Sequence, residues 1–356
     1  MRDNADHFRI KAADDPQDIL VLILDSSIRS WVKTLGREPA SSLNDAVSAL
    51  QLVTEQLLVF LNTFLLLHES NRVCVIVSGS DASRLVYPVF PDPETLPPGY
   101  DQVVEDASLD AAVGYSSQHH LISDHYQMVQ DLKAAVERGI KVSLRNQEHP
   151  QTCNRHSCIS SALATALCLL NRARRIQIER AAMGLGRDKD VIDTFEQEMH
   201  FNGRILTVLA GPDAPDQYVS MMNCIFSAQR LGVPIDSCML AKEKDSTYFQ
   251  QAARLTNGVY VRPEGFSTSN PDTLMQYLQT VFIVDKQSRD FLAMPTPDKV
   301  DFRASCMQTR EIIDNGYTCS ICLSTFDISV GKGAAMCPVC SARFAITNPR
   351  KRSSKP

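Results

Sequence analysis

Apolar and polar residues alternate in blocks along this chain, and the length of each block separates strands from helices. Asp18 to Asp25 (DILVLILD) is a continuous apolar run bounded by acids, as in a central parallel strand buried on both faces. Arg72 to Ser78 (RVCVIVS) and Gly203 to Gly211 (GRILTVLAG) repeat the pattern. Arg84 to Tyr87, Pro234 to Leu240 and Gly258 to Val261 read as shorter strands. Between the strands the period changes to 3.6. Leu43, Val47, Leu50, Leu57, Leu61 and Phe64 approximate one face of a long helix, with Ser41 and Ser42 as N-cap candidates. Further helices are predicted over Tyr126 to Arg138, Cys158 to Glu179, Gln217 to Leu231, Ser246 to Leu255 and Leu274 to Phe282. This alternation predicts an α/β fold, a doubly wound and mainly parallel sheet with helices on both faces.

Two intervals interrupt the rhythm. Residues 88–123 hold Pro91, Pro93, Pro97 and Pro98 among many acids, and residues 184–202 are polar and contain glycine; both read as surface inserts. The expected organisation is a tail over 1–14, an α/β domain over 15–284 carrying the two inserts, and a linker over 285–299 marked by Pro295 and Pro297. A small module over 300–348 and a basic tail over 349–356 follow.

The module carries the sharpest chemical signal. Cys319 and Cys322 (CSIC) and Cys337 and Cys340 (CPVC) form CxxC pairs separated by fourteen residues, one short of the usual gap for paired knuckles. Four thiolates suit one tetrahedral Zn2+ and leave no open coordination position, so the expected site is structural. Tyr317, Phe326 and Phe344 offer only a minimal apolar core, which predicts that metal binding and folding of the module are coupled. A cross-brace ubiquitin ligase needs eight ligands, which argues against that activity. Cys306 upstream is either a spare ligand or a buried free thiol.

Composition narrows the remaining choices. With 356 residues, 44% apolar and 22% charged, the chain can bury a sizeable core. The net charge is −5, and residues 349–356 (PRKRSSKP) hold four bases and no acids, so the remainder sums to −9. This balance argues against a surface that coats nucleic acid over the whole protein, while the basic tail reads as a nuclear-import signal, a phosphate contact or simply a solvated end. Eleven cysteines, an odd number, fit a reducing compartment, cytosol or nucleus. The N-terminus has no hydrophobic signal region, and the apolar stretch Leu57 to Leu67 is broken by Asn62 and Thr63, so no membrane association is expected.

No catalytic constellation appears. Gly184-Leu185-Gly186 follows a helix and lacks a third glycine, and Ser78-Gly79-Ser80 is a strand-end turn. His119, His120 and His125 match no metalloprotease pattern, and Cys153, His156 and Cys158 lack a fourth ligand. Met221, Met222 and Phe226 serve either core packing or an adaptable contact surface.

The first strand ends in Asp25-Ser26-Ser27-Ile28-Arg29, which resembles the D-x-S-x-S cation loop of von Willebrand A domains. Arg29 replaces the last hydroxyl, Ser160 or Ser161 matches a later Thr position, and Leu209-Ala210-Gly211-Pro212 stands where that family has Thr-Asp-Gly. Two readings of Asp25 and Ser27 follow: a residual cation site, or an aspartate that caps its loop or pairs with Arg29. A degenerate domain of this type followed by a four-cysteine finger resembles the smaller von Willebrand A subunit in the core of general transcription and DNA-repair factor IIH. The stretches Asp216 to Leu240, Gln250 to Tyr260 and Gly316 to Cys322 carry the likeness. The resemblance implies a nuclear, non-enzymatic subunit of the TFIIH core, bound to the larger von Willebrand A subunit and assembled with the XPB and XPD helicases. It carries over Cys319, Cys322, Cys337 and Cys340 as zinc ligands and no catalytic residue. The competing expectation is a zinc-finger nucleic-acid binder using the module and the basic tail, for which direct DNA contact is an open question.

Overall fold

β1 (Asp18–Asp25) runs through the middle of a six-stranded sheet and is buried along its whole length. The computed structural model describes residues 18–34, 43–68, 70–88, 121–146, 156–185, 202–211, 213–241, 245–267, 270–286, 288–295, 306–309, 313–331 and 336–343. The 1–14 tail, Ser41 and Ser42, most of both inserts, His119, His120, Cys153, Phe344 and the 349–356 tail lie outside them.

Parallel partners flank β1 on both sides, β2 (Arg72–Ser78) and β4 (Asn202–Leu209), and β5 (Ile235–Met239) and β6 (Tyr260–Val261) continue in parallel beyond β4. β3 (Ser83–Tyr87) closes the far edge antiparallel to β2, giving the order β3-β2-β1-β4-β5-β6. This is the doubly wound, mainly parallel arrangement that the alternation of strands and helices implied. Because side chains point alternately to the two faces of a strand, β1 feeds two separate cores. Leu20, Leu22 and Leu24 enter one with Trp31, Phe60 and Phe64, while Ile19, Val21 and Ile23 enter the other with Leu163, Ile225 and Phe249.

Helices α1 (Ile28–Thr34), α2 (Leu43–Leu67) and α3 (Leu121–Asn146) supply the first core. α4 (Ile159–Leu185), α5 (Tyr218–Leu231) and α6 (Thr247–Thr256) supply the second. α7 (Asp272–Tyr277) continues into a π turn at Leu278–Phe282, where sequence periodicity implied one uninterrupted helix. α1 was missed, since seven residues are too short to display a period. α3 reaches into the 88–123 insert from Leu121, and α4 runs through Gly184 to Leu185, so both inserts are shorter than their composition implied. By length and composition alone α2 is apolar enough to cross a membrane, yet half of that span is buried, with Phe60 and Phe64 packed in the core.

At the N-terminal end of the sheet, Arg204 donates to the carbonyls of Phe282 and Val284 at 2.7 Å and of Ile283 at 3.0 Å. Its guanidinium thus caps the end of α7 and its π turn, stacked over the Phe64 ring at 5.3 Å.

Candidate functional site

β7 (Gly316–Thr318) and β8 (Thr325–Asp327) form an antiparallel pair, followed by one turn of helix, α8 (Ile328–Gly331). The link between the two strands holds the first cysteine pair, and the second pair follows α8. Each pair sits in the same turn. Leu323 N donates to Cys319 O at 2.9 Å and Cys319 N to Ser324 O at 2.9 Å; Ser341 N donates to Cys337 O at 2.9 Å and Cys337 N to Ala342 O at 2.7 Å. Leu323 and Ser341, each following the second cysteine of its pair, both have a φ of 58°. Two short segments with little sequence in common therefore adopt one backbone solution, the tight hairpin that points two sulfurs the same way.

The four sulfurs of Cys319, Cys322, Cys337 and Cys340 all lie within 4.8 Å of one another. Cys319 Sγ is 3.7 Å from Cys340 Sγ, and Cys322 Sγ is 3.6 Å from Cys337 Sγ. A tetrahedron with Zn–S bonds of about 2.3 Å has edges of about 3.8 Å, so the cluster fits a metal of that size and softness. Cys322 sits low, at about 6: its slight burial pushes upward but is outweighed by hydrogen bonds from the hydroxyl and N–H of Ser324. Cys340 is pushed the other way, to about 12, against a bond from Ala342 N, by burial and its bonds to the other three sulfurs, so the metal-free cluster shares protons that metal binding would displace.

The apolar support of the cluster departs from expectation. Phe326 is buried, but Tyr317 is 47% exposed, because β7 and β8 form only two strands and Tyr317 lies on their open side. Met307 takes its place, packing with Cys319, Phe326 and Cys337, and Tyr218 reaches this core from the start of α5. Cys306 is a buried free thiol, its sulfur accepting from Asp327 N at 3.3 Å and Thr309 N at 3.5 Å. It is not part of the four-sulfur cluster.

At the C-terminal end of the sheet, Asp25 behaves as a loop cap. Its Oδ1 accepts from Ser27 N at 3.0 Å and its Oδ2 from Ala210 N at 3.4 Å. Burial pushes the carboxyl above its ordinary pKa against these bonds and those from the Ser157 and Ser30 side chains. Neither expected partner joins it: Ser160 Oγ donates to Gln217 Oε1 at 2.9 Å, and Ser161 Oγ accepts from Ser83 Oγ at 2.8 Å. Ser27 Oγ is buried without a hydrogen-bond partner among the described residues.

Asp213, which sequence reasoning passed over, lines a cavity of about 30 Å3 together with Asp25. It accepts from Tyr248 N at 3.1 Å and from Ser246 Oγ, the N-cap of α6, so its role is to complete that cap. The only signal was an aspartate shortly after a strand, too common to single out. Met221 is buried and Met222 packs on the same core, while Phe226 is 53% exposed. His156 and Cys158 lie apart from the cysteine cluster on the rim of the sheet.

Comparison with known proteins adds a finding of a different kind. The family model described as Transcription factor Tfb4 matches residues 17–341. The general transcription and DNA repair factor IIH subunit TFB4 of Arabidopsis thaliana is 32% identical over 319 residues, covering 89% of this chain and 86% of its own length. General transcription factor IIH subunit 3 of Dictyostelium discoideum is 32% identical over 292 residues, covering 82% of this chain and 67% of its own. A crystal structure of the TFIIH p34 N-terminal domain aligns with a TM-score of 0.46 at 20% identity, covering 75% of this chain and 98% of that one.

Proposed function

Since this chain belongs to the transcription factor Tfb4 family, we propose that it is a non-catalytic subunit of the nuclear general transcription and DNA-repair factor IIH. In this reading it binds the larger von Willebrand A subunit, assembles with the XPB and XPD helicases, and supports RNA polymerase II initiation and nucleotide excision repair. The observation that carries it is the family match itself, which runs from residue 17 to residue 341 and so takes in both the sheet and all four clustered cysteines. The chemistry of the rim is consistent with a scaffold: Asp25 is engaged in capping its loop and Asp213 completes the cap of α6.

In the same reading Cys319, Cys322, Cys337 and Cys340 hold one structural Zn2+, supported by sulfur separations that match a tetrahedral thiolate site. The α/β domain spans 15–284 and the metal module 300–348, with Tyr218 bridging them. The nucleic-acid reading draws less support, because the knuckles present Ile321, Leu323, Met336 and Val339 to solvent, which are apolar residues unsuited to phosphate.

The test is purification of the tagged chain from nuclear extract followed by identification of what comes with it. The expected companions are the larger von Willebrand A subunit and both helicases; recovery of the chain without them would refute the reading.

A further inference from the structure

The C-terminal rim of the sheet and the four-cysteine module face each other across a groove of about 940 Å3. That volume lies near the top of the ~300–1,000 Å3 typical of ligand clefts. The module contributes an apolar wall of Met307, Pro338 and Val339, the last 44% exposed. The rim contributes a polar wall that includes Ser80, Asp81 and Asp216.

Three properties define what fits. Among the described residues no Lys or Arg lines the groove, whereas two carboxylates do, which disfavours a phosphate, a nucleotide or a nucleic-acid backbone. Asp81 is already paired with Arg84 at 2.6 Å and with Asn146 at 3.2 Å, but Asp216 is exposed and presents its charge to an incoming cation. Ser80 is only 3% exposed, and its Oγ has no hydrogen-bond partner among the described residues. A buried hydroxyl left unpaired is costly, which points to a partner that the described residues do not supply. An occupant with an apolar side chain, a neighbouring cation and main-chain amides satisfies all three.

We propose that the groove holds a segment of another polypeptide, with an aliphatic or aromatic side chain against Met307, Pro338 and Val339 and a Lys or Arg beside Asp216. The assignment rests on the reading of this chain as an assembly subunit and gives that assembly a defined point of contact. Pro338 and Val339 lie between Cys337 and Cys340, so the apolar wall is itself part of a metal knuckle.

The photo-cross-linker p-benzoylphenylalanine, placed at the exposed groove residue Gln308, tests this in the assembly purified through the full chain. The expected product joins Gln308 to a segment of a different polypeptide that carries Lys or Arg beside an apolar residue. Asp216→Lys should lower the cross-link yield about tenfold, as should Val339→Asp. A cross-link confined to this chain, including its own basic 349–356 segment, overturns the proposal. So does a cross-linked segment without Lys or Arg, an unchanged yield in Asp216→Lys, or no cross-link while the assembly co-purifies intact; in each of these cases the subunit reading stands. Absence of the assembly from the unmodified preparation overturns both.

Discussion

The Arg289 guanidinium forks onto the Asp236 carboxylate at 2.8 and 2.6 Å, tying the segment that follows α7 and its π turn to the start of β5. Both side chains are withdrawn from water, at 8% and 1% exposure, and Asp236 Oδ1 also accepts from Val259 N at 2.8 Å. A pair this buried stabilises little relative to an apolar substitute, but removing one partner strands the other. Arg289→Ala should therefore cost about 3–5 kcal/mol of unfolding free energy, read from urea denaturation. Arg289→Lys should recover only part of it, because an ammonium cannot reproduce the two-pronged contact. A loss within experimental error for the alanine variant would mean that Asp236 is solvated.

Gly258 packs against the backbone of Ile235, and an added Cβ would fall inside the contact distance of the Ile235 carbonyl. A backbone neighbour cannot rotate away as a side chain can. Gly258→Ala should lower stability by about 1–3 kcal/mol, measured as a shift in denaturation midpoint. A variant as stable as the parent would show that β5 and β6 can separate freely.

Asp213 gives the protein a pH dependence with a definite sign. Burial pushes its carboxyl up to about 6 from 3.8, in spite of the bonds from Ser246 and Tyr248. The folded state then holds the proton more tightly than the unfolded state, so this contribution is full below pH 3.8 and is lost as pH rises through about 6. At ~1.36 kcal/mol per pKa unit, the loss approaches about 3 kcal/mol. Asp213→Asn keeps an acceptor for the cap of α6 and removes the charge. Its stability should be flatter than the parent's between about pH 4 and pH 6 and at least equal to it near neutrality. Identical stability–pH slopes for the two proteins would reject the assignment.

Replacement of Cys337 by Ser should remove one ligand of the proposed Zn2+ and unfold the module. Elemental analysis should show metal falling from about one ion per chain to nearly none. Trp31, the single tryptophan, is buried beneath β1 with its Nε1 donating to Asp25 O at 2.8 Å, so its fluorescence reports on the α/β domain alone. Its emission and cooperative melting should persist in the variant. Their joint loss would place the module inside the folding unit of the sheet.

The parts of this molecule that were legible in the sequence are those governed by a period or a fixed spacing. β1 announced itself because both of its faces are buried, leaving no polar position between Asp18 and Asp25. The cysteine pairs were legible because one backbone turn brings two sulfurs together wherever CxxC occurs. What stayed hidden depends on partners distant in the chain. Tyr218 joins Met307 and Phe326 across roughly a hundred residues, and Asp213 gains its role only from Ser246 and Tyr248. The choice of Tyr317 as a core residue failed for the same reason, since which side of a two-stranded ribbon is covered depends on what packs against it.

The two margins of the sheet are unequal, and each is blunted. β6 offers only Tyr260–Val261, too short to template another strand. β3 runs against its neighbours, its register slips beside Val75, and α3 packs against it through Gly139 and Val86. Unpaired edges are where sheets from separate molecules zip together, and a shortened or bulged edge hinders it. Association with a second sheet-containing protein is thereby steered toward helix faces, loops and the knuckles. Such contacts can be read and exchanged side chain by side chain, whereas a continuous intermolecular sheet would lock the two proteins together through main-chain bonds that are blind to sequence.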